Sequence, residues 1–215
     1  MTLKRKVFVL GLDGASPDVI NSLIDNGRLP SFKLLKDGGV FGKLRTTIPP
    51  ITGSAWSSFM TGKNPGKHGI FDFTYRKEGK YELSPINARM REGEAFWSIA
   101  TEAERKVCIF NVPVTYPPDP VNGIMVSGML TPSSRGDYTH PLSVASALDR
   151  LTGKYQIHIT ESYSKKKEER FLKHLYEVTS KQKRAMDFLL NQEDWDLFVA
   201  VFQGIDVLQH ELWHT

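Results

Sequence analysis

Short apolar runs alternate with amphipathic stretches along this chain. Lys6 to Leu12 is mostly apolar and bounded by glycine, which predicts a buried parallel strand. Val19, Ile20, Leu23 and Ile24 follow at helical spacing, with Ser16 as N-cap, Pro17 just inside the start and Gly27 just past the end. A second short helix is expected over 30–36, closed by Gly38-Gly39. Residues 46–69 are polar and punctuated by Pro and Gly, and enclose a helix expected near Ser54 to Thr61. A hairpin over 71–84 and a helix over 95–104 come next, then apolar strands over 106–111 and 123–127. The alternation Tyr155 to Thr160 suggests a fourth strand, and 164–192 a long amphipathic helix with Phe171, Leu175, Val178, Met186 and Leu189 on its apolar face. Trp195 to Phe202, ending Leu-Phe-Val-Ala-Val-Phe, is the clearest strand.

Strands taking turns with helices imply an α/β fold, with a mostly parallel sheet flanked by helices on both faces. Ligands of such sheets bind beyond the carboxyl ends of the strands, so the residues after Leu12, Ile109 and Phe202 are the ones to test for chemistry.

Composition narrows the class. The 215 residues are 40% apolar and 24% charged, values of an ordinary globular protein. One cysteine, Cys108, excludes a disulfide framework and a cysteine-based zinc ribbon; its setting in Val-Cys-Ile-Phe predicts a buried thiol. The net charge of +4 is carried partly by the runs Lys4 to Lys6 and Lys165 to Arg170, read as solvated surface. No basic stripe with interleaved aromatics argues for nucleic acid, and no segment has the apolar length of a membrane span. Without a signal-peptide pattern, the expectation is a cytoplasmic protein with no membrane partner.

Three places carry candidate chemistry. Asp13 directly follows the first strand in Gly-Leu-Asp-Gly, which fits neither the DxDG of a haloacid-dehalogenase-type phosphatase nor a GxGxxG fingerprint. Thr52, Ser54, Ser57 and Ser58 cluster around a helix start, where free backbone N–H groups favour an anion; spacing alone does not choose among the four hydroxyls. Asp206 and His210 follow the last strand and share a helix face, offering one carboxylate and one imidazole. His210 and His214 are also four apart but lack the HExxH pattern of a zincin.

Taken in order, the strand-end Asp13, the hydroxyl loop, the segment Thr61-Gly62-Lys63-Asn64-Pro65-Gly66-Lys67-His68-Gly69-Ile70 and the run Asp206-Val207-Leu208-Gln209-His210 resemble one family. It is the type I phosphodiesterase/nucleotide pyrophosphatase branch of the alkaline phosphatase superfamily. The resemblance covers Lys6 to about Tyr75 and Asp196 to Thr215; residues 76–155 are expected to form a divergent insertion or cap-like region. It implies a hydrolase of phosphate esters acting on a small phosphorylated substrate. Two divalent metal ions, zinc or manganese, are implied, with Asp13 and Thr52 ligating one and Asp206 and His210 the other. Thr52 is implied as nucleophile because it lies nine residues ahead of Thr61.

The chain departs from the family pattern in two ways. The SDHG-like Asp-His pair and the last His of the family do not follow His210. Both metal sites are therefore expected to be incomplete, the chain to be the N-terminal part of a longer protein, and these residues alone to be inactive. Phe73 stands where nucleotide pyrophosphatases carry an asparagine, with Asp72 beside it, which unsettles the substrate preference. Two other readings follow: a non-catalytic module binding a phosphorylated ligand, or a phosphoglycerate-mutase-like member of the superfamily.

Overall fold

The computed structural model describes residues 5–132, 136–192 and 194–213. Its main sheet has five strands in the order β1 (Val7–Leu12), β7 (Leu197–Phe202), β4 (Val107–Phe110), β5 (Gly123–Val126) and β6 (Thr139–His140). The first four are parallel, and β6 runs antiparallel at one edge. A separate hairpin pairs β2 (Thr74–Arg76) with β3 (Leu83–Pro85). Residues 76–155 thus supply β4, β5 and β6 to the central sheet.

Alternation along the inner strands sorts two cores. Cys108, Phe110, Ile124, Val126, Phe198 and Ala200 face α6 (Ser143–Thr152) and α7 (Glu168–Leu190), where Leu148, Ala185 and Leu189 are buried. Val107, Ile109, Met125, Val199 and Val201 face the other way, onto Met60 of α3 (Thr52–Thr61) and Trp97 of α5 (Phe96–Glu102). Helices on both faces of a mostly parallel sheet are the expected architecture, and the Cys108 thiol is buried as expected. Among the described residues, no helix is long and apolar enough to cross a membrane.

Three expectations need correction. Residues 155–160 form no strand. Tyr155 is buried and Ile157 packs against the same core, which produces the alternation, but the Gln182 side chain of α7 takes the carbonyls of Gln156 (3.3 Å) and Ile157 (3.0 Å) in place of a ladder. β1 forms on schedule but, among the described residues, is an edge strand rather than a buried one: it pairs there only with β7, and Val7 and Leu10 are 52% and 47% exposed. Helix α3 begins at Thr52, two residues before the expected Ser54, because Ile51 stays extended and the helix starts directly after it. Helices α1 (Pro17–Asp25) and α2 (Pro30–Gly38) lie where the spacing placed them. The Lys165–Arg170 run is surface: Lys165–Lys167 make an exposed 3-10 turn and Arg170 pairs with Glu161 at 2.8 Å.

Candidate active site

β1 and β7 run in register, with Leu12 beside Phe202, so Asp13 and Gln203 leave the sheet side by side. The Asp13 amide donates to the Phe202 carbonyl at 2.9 Å, extending the ladder one residue beyond the strands. Gly14 then turns the chain at φ +72. A Cβ on Gly14 would lie 2.6 Å from the Asp206 Cα, so only glycine lets the first turn of α8 (Gly204–Leu212) come this close. That contact brings Asp206 to Asp13. Four residues on, His210 Nε2 lies 3.6 Å from Asp206 Oδ1, and the imidazole is 78% exposed.

Thr52 reaches the same rim from the other side as the first residue of α3. The amides of the first helical turn have no intrahelical acceptor, and negative charge is favoured near them. Trp56, one turn further along α3, lays its ring over β1 at Gly11, where an added Cβ would lie 2.3 Å from Cη2.

The Asp13 carboxyl is therefore crowded. Burial, and secondarily the Asp206 carboxylate, push its pKa up; hydrogen-bond donors on Trp56, Gln203 and Thr52 pull the other way, with Gln203 Nε2 at 3.5 Å. The structure thus sets Thr52 and Asp206 beside Asp13 at the carboxyl rim, with His210 next to Asp206.

The other hydroxyls of α3 point elsewhere. Ser54 and Ser57 are fully buried with unpartnered Oγ atoms. Ser58 Oγ meets His68 Nε2 at 2.9 Å, while His68 Nδ1 accepts the Ile70 amide at 3.1 Å. Since Nδ1 is the acceptor, the ring proton sits on Nε2 and is donated to Ser58. Burial lowers the His68 pKa, which keeps the imidazole neutral. His68 ends the single turn α4 (Pro65–His68), between Gly62 and Gly69 in left-handed conformations. The Thr61-to-Ile70 segment is thus a brace that fixes α3 from below.

Phe73 lies against the start of α3, its Cδ1 3.6 Å from where a Gly53 Cβ would be. Asp72 is exposed and its Oδ1 accepts the Phe73 amide at 2.6 Å. His158 Nε2 is engaged with the Thr131 carbonyl (2.8 Å) and His174 Nε2 with the Thr160 amide (3.1 Å). His214 lies outside the described residues.

Trp56, Gln203 and Gly14 belong to the site but carry no motif. Gln203 had a signal, since it is the first residue after the clearest strand; Trp56 is four residues from Thr52 and so shares its helix face.

The donor set suits divalent cations. Two carboxylates approach each other, and among the described residues neither forms an ion pair with a lysine or arginine. Carboxylate, hydroxyl and imidazole are donors that zinc and manganese accept. Among the described residues, no group of three or more His, Cys, Asp or Glu side chains converges, so each cation would find two ligands here.

Comparison with known proteins agrees with this arrangement of the sheet. A structure of phosphonoacetate hydrolase from Sinorhizobium meliloti 1021 with phosphonoacetate superposes with a TM-score of 0.58 at 17% identity, covering 95% of this chain and 47% of that one. The same enzyme with phosphonoformate gives 0.60 at 19% identity, covering 94% and 47%. The chain spans about half the length of these neighbours. No curated protein matches it. The profile described as type I phosphodiesterase / nucleotide pyrophosphatase matches residues 7–215, nearly end to end, and the chain belongs to that family.

Proposed function

We propose that this chain carries the nucleophile half of a metal-dependent hydrolase acting on small phosphorylated substrates. The observation that carries the reading is the approach of Thr52 and Asp206 to Asp13 at the carboxyl rim, with His210 beside Asp206. Asp13 and Thr52 would hold one divalent cation, and Asp206 with His210 the other. When bound, such cations lower the pKa of a ligated hydroxyl and neutralise charge on phosphoryl oxygens. Thr52 Oγ forms the new bond to phosphorus while the ester oxygen departs with its electron pair; hydrolysis of the Thr52 phosphoester restores the hydroxyl. Thr52 fits this role better than Ser54 or Ser57, which are fully buried, and better than Ser58, which is tied to His68. The free amides of the first turn of α3 orient the phosphoryl oxygens.

Each cation has two ligands among the described residues, where a zinc site uses three or four. The full ligand set is proposed to be completed by polypeptide outside these residues, and these 215 residues alone to be inactive or nearly so. The relatives' span, about twice that of this chain, agrees with it. The test compares Thr52→Ala with Ser54→Ala in the full-length protein, using zinc or manganese and an aryl phosphodiester. Thr52→Ala is expected to lose about 10³-fold or more in turnover. Hydrolysis near the unmodified rate by Thr52→Ala refutes the assignment.

A further inference from the structure

Trp56 is placed to do more than fill space. It lies four residues after Thr52, on the same face of α3, with the indole N–H offered to the Asp13 carboxylate. Its position is fixed from two sides. Towards β1 it fills the socket left by the missing side chain of Gly11, where a Cβ would be 2.3 Å from Cη2 and 3.1 Å from Cζ3. Away from β1 it begins an aromatic chain: edge-on to Phe59 (centroids 5.4 Å), which is edge-on to Phe96 (5.3 Å), which meets the fully buried Trp97 (5.2 Å). Edge-to-face pairs resist rotation of each ring.

An indole donates one hydrogen bond and accepts none. It cannot ligate a cation or carry a proton between groups. Its one polar action here is to fix how the carboxylate sits. The other donors on Asp13 are Thr52 itself and Gln203, an amide at 3.5 Å on a flexible side chain. Trp56 is the rigid one.

We propose that Trp56 is a positioning residue for Asp13: its indole N–H holds one carboxylate oxygen so that the other is turned to a divalent cation beside Thr52. This rests on the metal-site reading above. Gly11 is part of the same device, since any side chain there displaces the indole.

The test uses the full-length protein, in which the ligand set is complete, and Zn²⁺ as the probe. Calorimetric titration compares the unmodified protein, Trp56→Phe and Asp13→Asn, while NMR follows the Trp56 indole N–H signal, assigned through its own ring protons, of which those at Cη2 and Cζ3 face Gly11. Trp56→Phe keeps an aromatic ring on α3 but removes the donor together with the outer ring atoms that sit at Gly11. Partners that orient metal ligands are typically worth 10- to 100-fold in metal affinity. Binding is therefore expected to weaken about 10-fold or more in Trp56→Phe, with thermal unfolding of the metal-free chain shifted by only a few degrees. The indole signal is expected to move in step with Zn²⁺ saturation. Zn²⁺ affinity unchanged in Trp56→Phe but lost in Asp13→Asn overturns the positioning role and leaves the metal-site reading standing. Absence of any Asp13-dependent binding overturns both. Should Trp56→Phe not fold, an indole signal that stays still as the unmodified chain saturates overturns the proposal by itself.

Discussion

Replacing Gly14 by alanine tests whether the backbone, rather than side-chain partners, holds the site together. Two costs combine at Gly14. Its φ of +72 lies in the left-handed region, where an L side chain costs about 1–2 kcal/mol. The new Cβ would also lie 2.6 Å from the Cα and 2.9 Å from the Cβ of Asp206, on backbone that has no flexible end to swing away. Forcing a methyl into such a contact adds about 1–3 kcal/mol. Gly27 separates the two costs. It has nearly the same φ, +70, and nothing within 4 Å of the added Cβ. The loss of unfolded-chain entropy on Gly→Ala is common to both variants and cancels in the comparison.

For a chain of this size each kcal/mol moves the melting temperature by roughly 2–4 °C. Gly27→Ala is expected to melt about 2–8 °C below the unmodified chain, and Gly14→Ala about 2–12 °C below Gly27→Ala. Circular dichroism melts of the metal-free protein measure both. A contact opened to ordinary van der Waals distance also moves Asp206 by about 1 Å, a misplacement that can cost ~10²-fold in catalysis. The full-length Gly14→Ala enzyme should therefore lose turnover while Gly27→Ala keeps it. Equal melting of the two alanine variants would show that α8 does not rest on Gly14, and the proposed convergence of Asp206 on Asp13 would fall with it.

Other outcomes follow from the same geometry. Because burial and Asp206 raise the Asp13 pKa, its ionised form is unfavourable in the fold: stability is lost as pH rises from the unfolded value near 3.8 through the folded one. Asp13→Asn should then melt higher than the unmodified metal-free chain at pH 7, and Zn²⁺ should raise the melting temperature of the full-length protein by more than that of full-length Asp13→Asn. His68 has the opposite charge logic: its folded pKa lies below the usual 6.5, so the unfolded chain takes up a proton that the fold refuses, and stability falls as pH drops from about 6.5 towards the folded value. His68→Gln should flatten that part of the profile, which can reach about 1.4 kcal/mol per pH unit for one proton. The free β1 edge, with Val7 and Leu10 about half exposed, should make the chain self-associate; Val7→Lys should shift it towards monomer in light scattering after size exclusion.

Much of the framework was legible because local pattern and tertiary role coincide. Six consecutive apolar residues make β7, which is central and covered on both faces, so the run itself records its burial. The same inference overreached for β1, whose composition is that of a buried strand but whose neighbour list has one strand. Residues 155–160 failed for a different reason. Period-two burial arises wherever an extended segment lies on a core, and only hydrogen bonds distinguish a strand from such a segment. Here they come from Gln182, more than twenty residues away in sequence. Helix α6 drew no comment at the sequence level although Ala145 and Leu148 are buried on one side of it.

The site divides along the same line. Asp13, Asp206 and His210 could be located because the carboxyl ends of parallel strands are where an α/β sheet presents its chemistry, and that rule needs only strand positions. Thr52 needed the family resemblance, since four hydroxyls competed; in the structure burial of Ser54 and Ser57 and the His68 bond to Ser58 leave it as the one facing Asp13. What the sequence hid is how these groups are held. Gly14 matters through the backbone of Asp206, Gly11 through the ring of Trp56, and Trp56 through the carboxylate of Asp13. Each is an ordinary residue locally, and each acquires its role from a partner on another element. Two like charges would drift apart if side-chain attraction alone governed the rim. They stay together because a glycine turn admits the backbone of α8 and a glycine socket admits the Trp56 ring of α3, so the packing sets the charges before any cation is present to reward it.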